Sequence, residues 1–262
     1  MVLQARATGG IWFRYGDLTG VIDPGPGALV HIREASPELD PHRVRAILLT
    51  HKHLDHSNDV NVLAEAMTGG GFEKQGTVVL PDDAIHGDDP VFLKYIAKKV
   101  GQIFICEDGS PIELENGVSV EPVKHIHHGV NCFGYIFRKK GLPTWGLLSD
   151  TKPLEIFASR YRECEYISIN ATFPDKKPRL DHMSIEDVSE LLTEIHPKLA
   201  TLTHMGMIIL QDADPEHFAR DISTEKTRVL AARDGMVIDL ENLSVVSPIK
   251  TPLQPSQYEI IS

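Results

Sequence analysis

The sequence predicts an α/β fold in which β-sheets pack on one another with helices outside. Two observations carry that prediction: short β-type runs recur along the chain, and amphipathic helical patterns lie between some of them. A third bounds it. At 262 residues the chain is within range of a single layered core, and no low-complexity tract or long linker divides it. Residues 1–262 are therefore read as one domain.

The β-type runs are 46–50, 118–123, 133–137, 145–148, 166–169, 199–203 and 228–231. Each is four to six residues long, rich in branched or aromatic side chains, and bounded by turn or polar residues. Ser184 caps a predicted helix in which Ile185, Val188, Leu191, Leu192 and Ile195 share one face. A second predicted helix opens at Ser57 or Asp59, carries Val60, Leu63 and Met67, and stops at Gly69-Gly70-Gly71. Residues 81–90, acidic and containing prolines, read as a surface loop, and residues 248–255 as a tail wrapping the outside.

Composition narrows the function classes. A chain 42% hydrophobic and 24% charged is neither disordered nor fibrous. No apolar run approaches the roughly 18 residues that cross a membrane, so no membrane partner is expected. Residues 1–14 have no apolar stretch of the secretory kind, and no leader is expected there. The three cysteines, Cys106, Cys132 and Cys164, are odd in number and widely spaced, which fits core thiols and a reducing, cytoplasmic setting. A net charge of −11 argues against extended nucleic-acid binding. Lys176, Lys177 and Arg179 form the compact basic cluster placed near chemistry, where a solvated charge run is an equal alternative.

Three strands end on residues of the metal-ligating kind. The run 46–50 stops at His51, Leu147-Leu148-Ser149 stops at Asp150, and Leu202-Thr203 stops at His204. Such endings can converge on one rim, where rigid backbone fixes them. The first is the densest: His51-Lys52-His53-Leu54-Asp55-His56 has four ligand-type residues in six. In extended chain, residues two apart point the same way, so His51 and His53 can grip one ion, while Asp55 and His56 reach a second. Imidazole and carboxylate without thiolate suit zinc, iron or manganese. Farther on, His125, His127 and His128 are all candidates for a further ligand.

His51 to His56 resembles the H-x-H-x-D-H signature of the metallo-β-lactamase superfamily, and the resemblance extends along nearly the whole chain. Val21-Ile22-Asp23-Pro24-Gly25-Pro26-Gly27 is similar to that family's early strand and glycine turn. Leu148-Ser149-Asp150-Thr151 is similar to its bridging-aspartate motif, Leu202-Thr203-His204 to its last ligand, and 232–236 to its closing strand. The resemblance implies a four-layer αββα sandwich of two mixed β-sheets with outer helices. It implies two divalent metal ions, zinc foremost with manganese or iron as alternatives. One would be held by His51, His53 and His128, the other by Asp55, His56 and His204, with Asp150 bridging. His128 is favoured over His127 by its spacing to Gly134-Tyr135, and alternation sets the two on opposite faces. A hydroxide shared by the ions is the implied nucleophile, since metal binding lowers the pKa of water to about 7. Asp55 is given a catalytic part in orienting it.

Two features choose a branch. His53 stands where the diiron redox branch has Glu, which favours hydrolysis. Asp181-His182-Met183-Ser184, lying 22 residues ahead of His204, resembles an element of tRNase Z-like enzymes and phosphonate-pathway cyclic phosphodiesterases. In those relatives its histidine contacts phosphate, so His182 is the implied general acid. Asn170-Ala171-Thr172-Phe173 resembles the His-Glu-Ala-Thr element of the tRNase branch, with Asn170 where an acid is usual; this leaves the proton-relay partner of His182 open. The span from His128 to Asp150 is too short for a tRNA-gripping arm. The reading is a phosphodiesterase for a small phosphodiester, cyclic ones included. The alternatives are a carboxylic ester, thioester or lactone hydrolase on the same metals, and a metal-binding protein without turnover. A homodimer is compatible with the sequence. His86, in an acidic loop, and His31, His42, His196 and His217 are read as surface residues.

Overall fold

The computed structural model describes residues 7, 10–36 and 38–246. In chain order the elements are β1 (Ile11–Tyr15), β2 (Leu18–Ile22), α1 (Ala28–Ala35), β3 (Ala46–Leu48), α2 (Leu54–Ser57), α3 (Val60–Met67), β4 (Thr77–Leu80), α4 (Lys94–Ala97), β5 (Gln102–Ile105) and β6 (Ile112–Glu113). They continue with β7 (Ser119–His127), β8 (Val130–Arg138), β9 (Trp145–Leu148), α5 (Ile156–Arg160), β10 (Tyr166–Asn170), α6 (Ile185–Ile195) and β11 (Leu199–Thr203). Last come α7 (Met207–Leu210), α8 (His217–Asp221), β12 (Arg228–Ala231), β13 (Val237–Asp239) and β14 (Ser244–Val246).

Two mixed sheets result. One has the order β1-β2-β3-β4-β5, with β1 antiparallel and the rest parallel; the other runs β12-β11-β10-β9-β8-β7-β6. In the second sheet β9 to β12 are parallel, while β6, β7 and β8 alternate.

Alternation explains the layers. Ala46 and Leu48 of β3 enter a core with Phe13, Tyr15, Phe137 and Trp145, between the two sheets. Ile47, with Leu49 just beyond, enters another with Val60, Leu63 and Met67 of α3. Across the second sheet, Ile136, Leu148 and Ile167 pack on Phe157 of α5 and Val188 and Leu192 of α6. A strand buried on both faces needs apolar residues at both parities, which is why these runs read as continuous rather than alternating. The order is thus helices, sheet, sheet, helices, as expected. Helix α6 begins at a capping box in which Ser184 Oγ accepts the Asp187 N–H and Asp187 Oδ2 accepts the Ser184 N–H.

Several boundaries differ from expectation. The runs 118–123 and 133–137 extend into nine-residue strands because a two-residue turn joins them tightly; His and Lys side chains had interrupted their apolar pattern. Strands β1, β4, β5, β6, β13 and β14 lie outside the expected runs. The 81–90 loop is less superficial than its composition implies, since Ala84 is buried and Asp83 Oδ2 accepts the Asn131 N–H at 3.0 Å. Residues 248–255 lie outside the described residues. Among the described residues no helix is long and apolar enough to cross a membrane.

Candidate metal centre

The site forms where strand ends meet. Strands β2 and β3 run parallel in one sheet, and β9, β10 and β11 in the other. Strand β7, two antiparallel steps from β9, ends on the same side. Beyond these C-terminal ends stand Asp23, His51, His127, Asp150, Asn170 and His204, the His127 and Asn170 positions closing their strands. Asp23, His128 and His204 take left-handed backbone with φ of 48°, 42° and 51°. Strain of this kind in residues with a Cβ is concentrated at functional sites.

Ligand-type atoms gather in three groups among the described residues. His51, His53 and His127 form one, and Asp55, His56, Asp150 and His204 form a second; a third, at the edge, joins His127 to His128 and His182. Hydrogen bonds set the tautomers. The Thr50 hydroxyl donates to Asp23 Oδ2 at 2.7 Å, so at 3.0 Å from His51 Nδ1 it must accept. His51 Nδ1 thus carries the proton and Nε2 is bare, buried and without a partner. His127 Nδ1 donates to the Asp181 carbonyl at 2.8 Å, leaving Nε2 bare at 3.1 Å from His53 Nδ1. His56 Nδ1 donates to Asp23 Oδ2 at 2.8 Å, and its Nε2 lies 3.1 Å from His204 Nε2 and 3.4 Å from Asp150 Oδ2.

The first two groups differ in charge. Burial, together with neighbouring imidazoles, holds His51 well below the usual histidine range and lowers His53 and His127. In the other group burial opposes charge but the partners win. Asp23 and Asp150 raise His56 well above its usual value, and Asp150 and Asp55 raise His204. Against the same burial, His204 and His56 hold Asp150 and Asp55 below the usual carboxylate range.

These residues fit divalent metal. An orphaned buried nitrogen on His51, a bare Nε2 on His127 whose opposite ring atom is fixed by a carbonyl, and a nitrogen–oxygen donor set without thiolate are what zinc, manganese or iron takes.

The structure brings His127, not His128, to His51 and His53. In β7, alternation buries His125 and His127, whereas His128 has left the strand and is the first residue of the turn. One residue separates the two readings, and the turn decides between them. His182 lies beside the site, its Nδ1 3.2 Å from Thr172 Oγ1 and 3.8 Å from Asp150 Oδ2. Asn170 does not reach His182. It donates to Asp150 Oδ1 at 2.8 Å and accepts from Thr203 Oγ1 at 2.7 Å. Lys176 is turned to Glu190 and Asp187, away from the role placed on the basic cluster.

The profile of the β-lactamase superfamily domain matches residues 20–205. The chain belongs to the metallo-β-lactamase superfamily. As a hydrolase of that superfamily it is 26% identical over 248 residues to the uncharacterized protein MJ1374 of Methanocaldococcus jannaschii, covering 92% of this chain and 90% of the relative. The metallo-β-lactamase fold protein YhfI of Bacillus subtilis superposes with a TM-score of 0.70 at 19% identity, over 88% of this chain and 91% of the other. A diphosphatase of the PhnP family superposes at 0.62 and 20% identity, over 87% and 82%. These two likenesses establish the fold.

Sequence reasoning missed the role of Asp23. It is buried, and three donors converge on it: the Thr50 N–H at 2.7 Å, the Thr50 hydroxyl, and His56 Nδ1. Its signal was the Val-Ile-Asp-Pro-Gly stretch, where an acid closes an apolar strand. His125 is also buried, its Nε2 3.2 Å from the Tyr161 hydroxyl, and burial lowers its pKa to about 3. Gly134 makes room for that pair, because a Cβ there would lie 2.1 Å from the Tyr161 oxygen.

Proposed function

We propose that this superfamily member is a binuclear metal-dependent phosphodiesterase acting on a small phosphodiester. The observation that carries the reading is the place of His182: beside Asp150, partly exposed, and apart from the His51–His53–His127 and Asp55–His56–Asp150–His204 groups, grouped instead with His127 and His128 at their edge. An imidazole so placed is available to substrate. His51, His53 and His127 would hold one ion and Asp55, His56, His204 and Asp150 the other, and such ions would supply Lewis acidity that acidifies water and offsets charge on a phosphoryl group.

The chain's own residues do the rest. Asn170 fixes Asp150 Oδ1 and leaves Oδ2 toward His56 and His127. Thr172 orients the His182 ring through Nδ1, which leaves Nε2 free of that bond. Burial lowers the proton affinity of His182, with His204 and His128 adding to it and Asp150 opposing. An anionic phosphoryl group beside the ring raises that affinity again, so the proton arrives with the substrate and passes from Nε2 to the leaving oxygen. Asp55, bonded to His204 at 3.2 Å, holds that imidazole in place. The short β8–turn–β9 link between His128 and Asp150 carries no arm, which supports a small substrate. The PhnP-family diphosphatase adds a relative with phosphoryl chemistry.

Parallel assays of zinc- and manganese-loaded protein with bis(p-nitrophenyl) phosphate, a thioester and a lactone test the reading. Phosphodiesterase activity is expected, and His182→Ala should lower turnover about 10²- to 10⁴-fold with metal content intact. Lactone or thioester hydrolysis without phosphodiester hydrolysis would overturn it.

A further inference from the structure

The turn that joins β7 to β8 carries a histidine the first two ligand groups leave over. His128 and Gly129 are its central residues, at φ 42° and 76°, and His127 pairs with Val130 across it. Two positive φ values mark a type I′ turn, whose first central position favours Asn, Asp or Gly. Histidine is not among those turn formers, and the backbone strain it bears there points to a use for its ring.

That ring sits at the mouth of the site. Its centroid lies 4.3 Å from that of His127, 5.3 Å from His182 and 6.2 Å from His53, and the side chain is 42% exposed. Asp181 locks this arrangement from both ends. Its carboxylate accepts the His128 N–H at 2.8 Å, and its carbonyl accepts from His127 Nδ1 at 2.8 Å. The turn and the segment bearing His182 are thereby tied together, and two imidazoles stand side by side at the opening. A third ion held by His127, His128 and His182 does not fit this bonding. One nitrogen of His127 is spent on Asp181, and the other faces His53.

We propose that His128 is a substrate-binding residue that grips a non-bridging oxygen of the phosphoryl group whose leaving oxygen His182 meets. The inference rests on the phosphodiester reading above and extends it to a two-imidazole clamp. Each ring offers an N–H in either protonation state in which it binds an anion, and hydrogen bonds to a charged acceptor are the stronger kind.

Titrating inorganic phosphate into the metal-loaded protein tests the clamp, using wild type, His128→Gly and His128→Asn. Both replacements suit left-handed backbone, and both retain the N–H that Asp181 accepts, so the turn survives. His128→Gly should weaken phosphate binding about tenfold and raise KM for bis(p-nitrophenyl) phosphate by about as much. Metal content should not change, and His128→Asn, which keeps a donor, should lie between. Unchanged phosphate affinity in His128→Gly overturns the clamp, and so does loss of an ion, which would make His128 a ligand. Failure of wild type to bind phosphate overturns it as well. Wild type that binds phosphate through His128 yet hydrolyses no phosphodiester upholds the clamp and sinks the functional reading instead.

Discussion

The two halves of the metal centre lie within a few ångströms of each other and are chemically opposite. His51, His53 and His127 are imidazoles held neutral by burial, with bare nitrogens already converging. Asp55, His56, Asp150 and His204 form a charged half, in which carboxylates bind protons onto two histidines. The first half needs no proton released before an ion enters; the second must expel what its carboxylates hold. The same strand ends therefore present one pre-formed site and one proton-filled site.

Breaking the support of the charged half should have the largest effect. Asp23→Ala strands the Thr50 N–H, the Thr50 hydroxyl and His56 Nδ1 in a buried place. A loss of about 3–5 kcal/mol is expected in thermal or urea unfolding of the metal-free protein. A loss under about 1 kcal/mol would show that Asp23 does not organise that half.

Next is the neutral half. His127→Ala should remove one ion of two and weaken zinc there about 100-fold or more, read by metal analysis after dialysis. Retention of both ions would restore His128 to the ligand set.

These two residues also show what was legible in the sequence. His51 to His56 announced itself because four ligand-type side chains follow one buried strand within six residues. Asp150 and His204 were legible as polar stops after apolar strands. The choice between His127 and His128 was not, since it depends on where a two-residue turn begins; family spacing favoured His128, whereas the structure groups His127 with His51 and His53. Asp23 and Asn170 could be seen as residues but not as partners. Their bonds cross 20 to 33 positions, and only sheet pairing brings those strand ends together. The layered fold followed from the apolar runs, whereas short strands such as β5 and β6, partly exposed at sheet edges, left no comparable signal.

A smaller effect sharpens how Asp150 serves both halves. Asn170→Asp replaces a donated N–H with a second carboxylate, and should lower metal affinity about 10- to 100-fold while leaving the fold intact. Unchanged affinity would mean that Asp150 is oriented by its other neighbours alone.

The smallest effect concerns His125, behind the neutral half. Its folded-state pKa of about 3 lies below the unfolded value near 6.5, so it contributes stability above that value which is lost as pH falls toward 3. His56 and His204 have the opposite sign: their pKa is raised, so their contribution is present below about pH 6.5 and lost as pH rises through the folded values. His125→Gln should flatten the acid side of the metal-free stability profile by about 2 kcal/mol. An unaltered acid limb would show that burial of His125 is not what opposes its charge.

The central contrast is tested most directly by calorimetric titration of zinc into metal-free protein at pH 6 and pH 8, in buffers of different protonation enthalpy. Two binding events are expected. One should be nearly independent of pH and buffer, and the other should release protons and weaken toward pH 6. Two events with the same proton count and the same pH dependence would contradict the division of the centre into a neutral and a charged half.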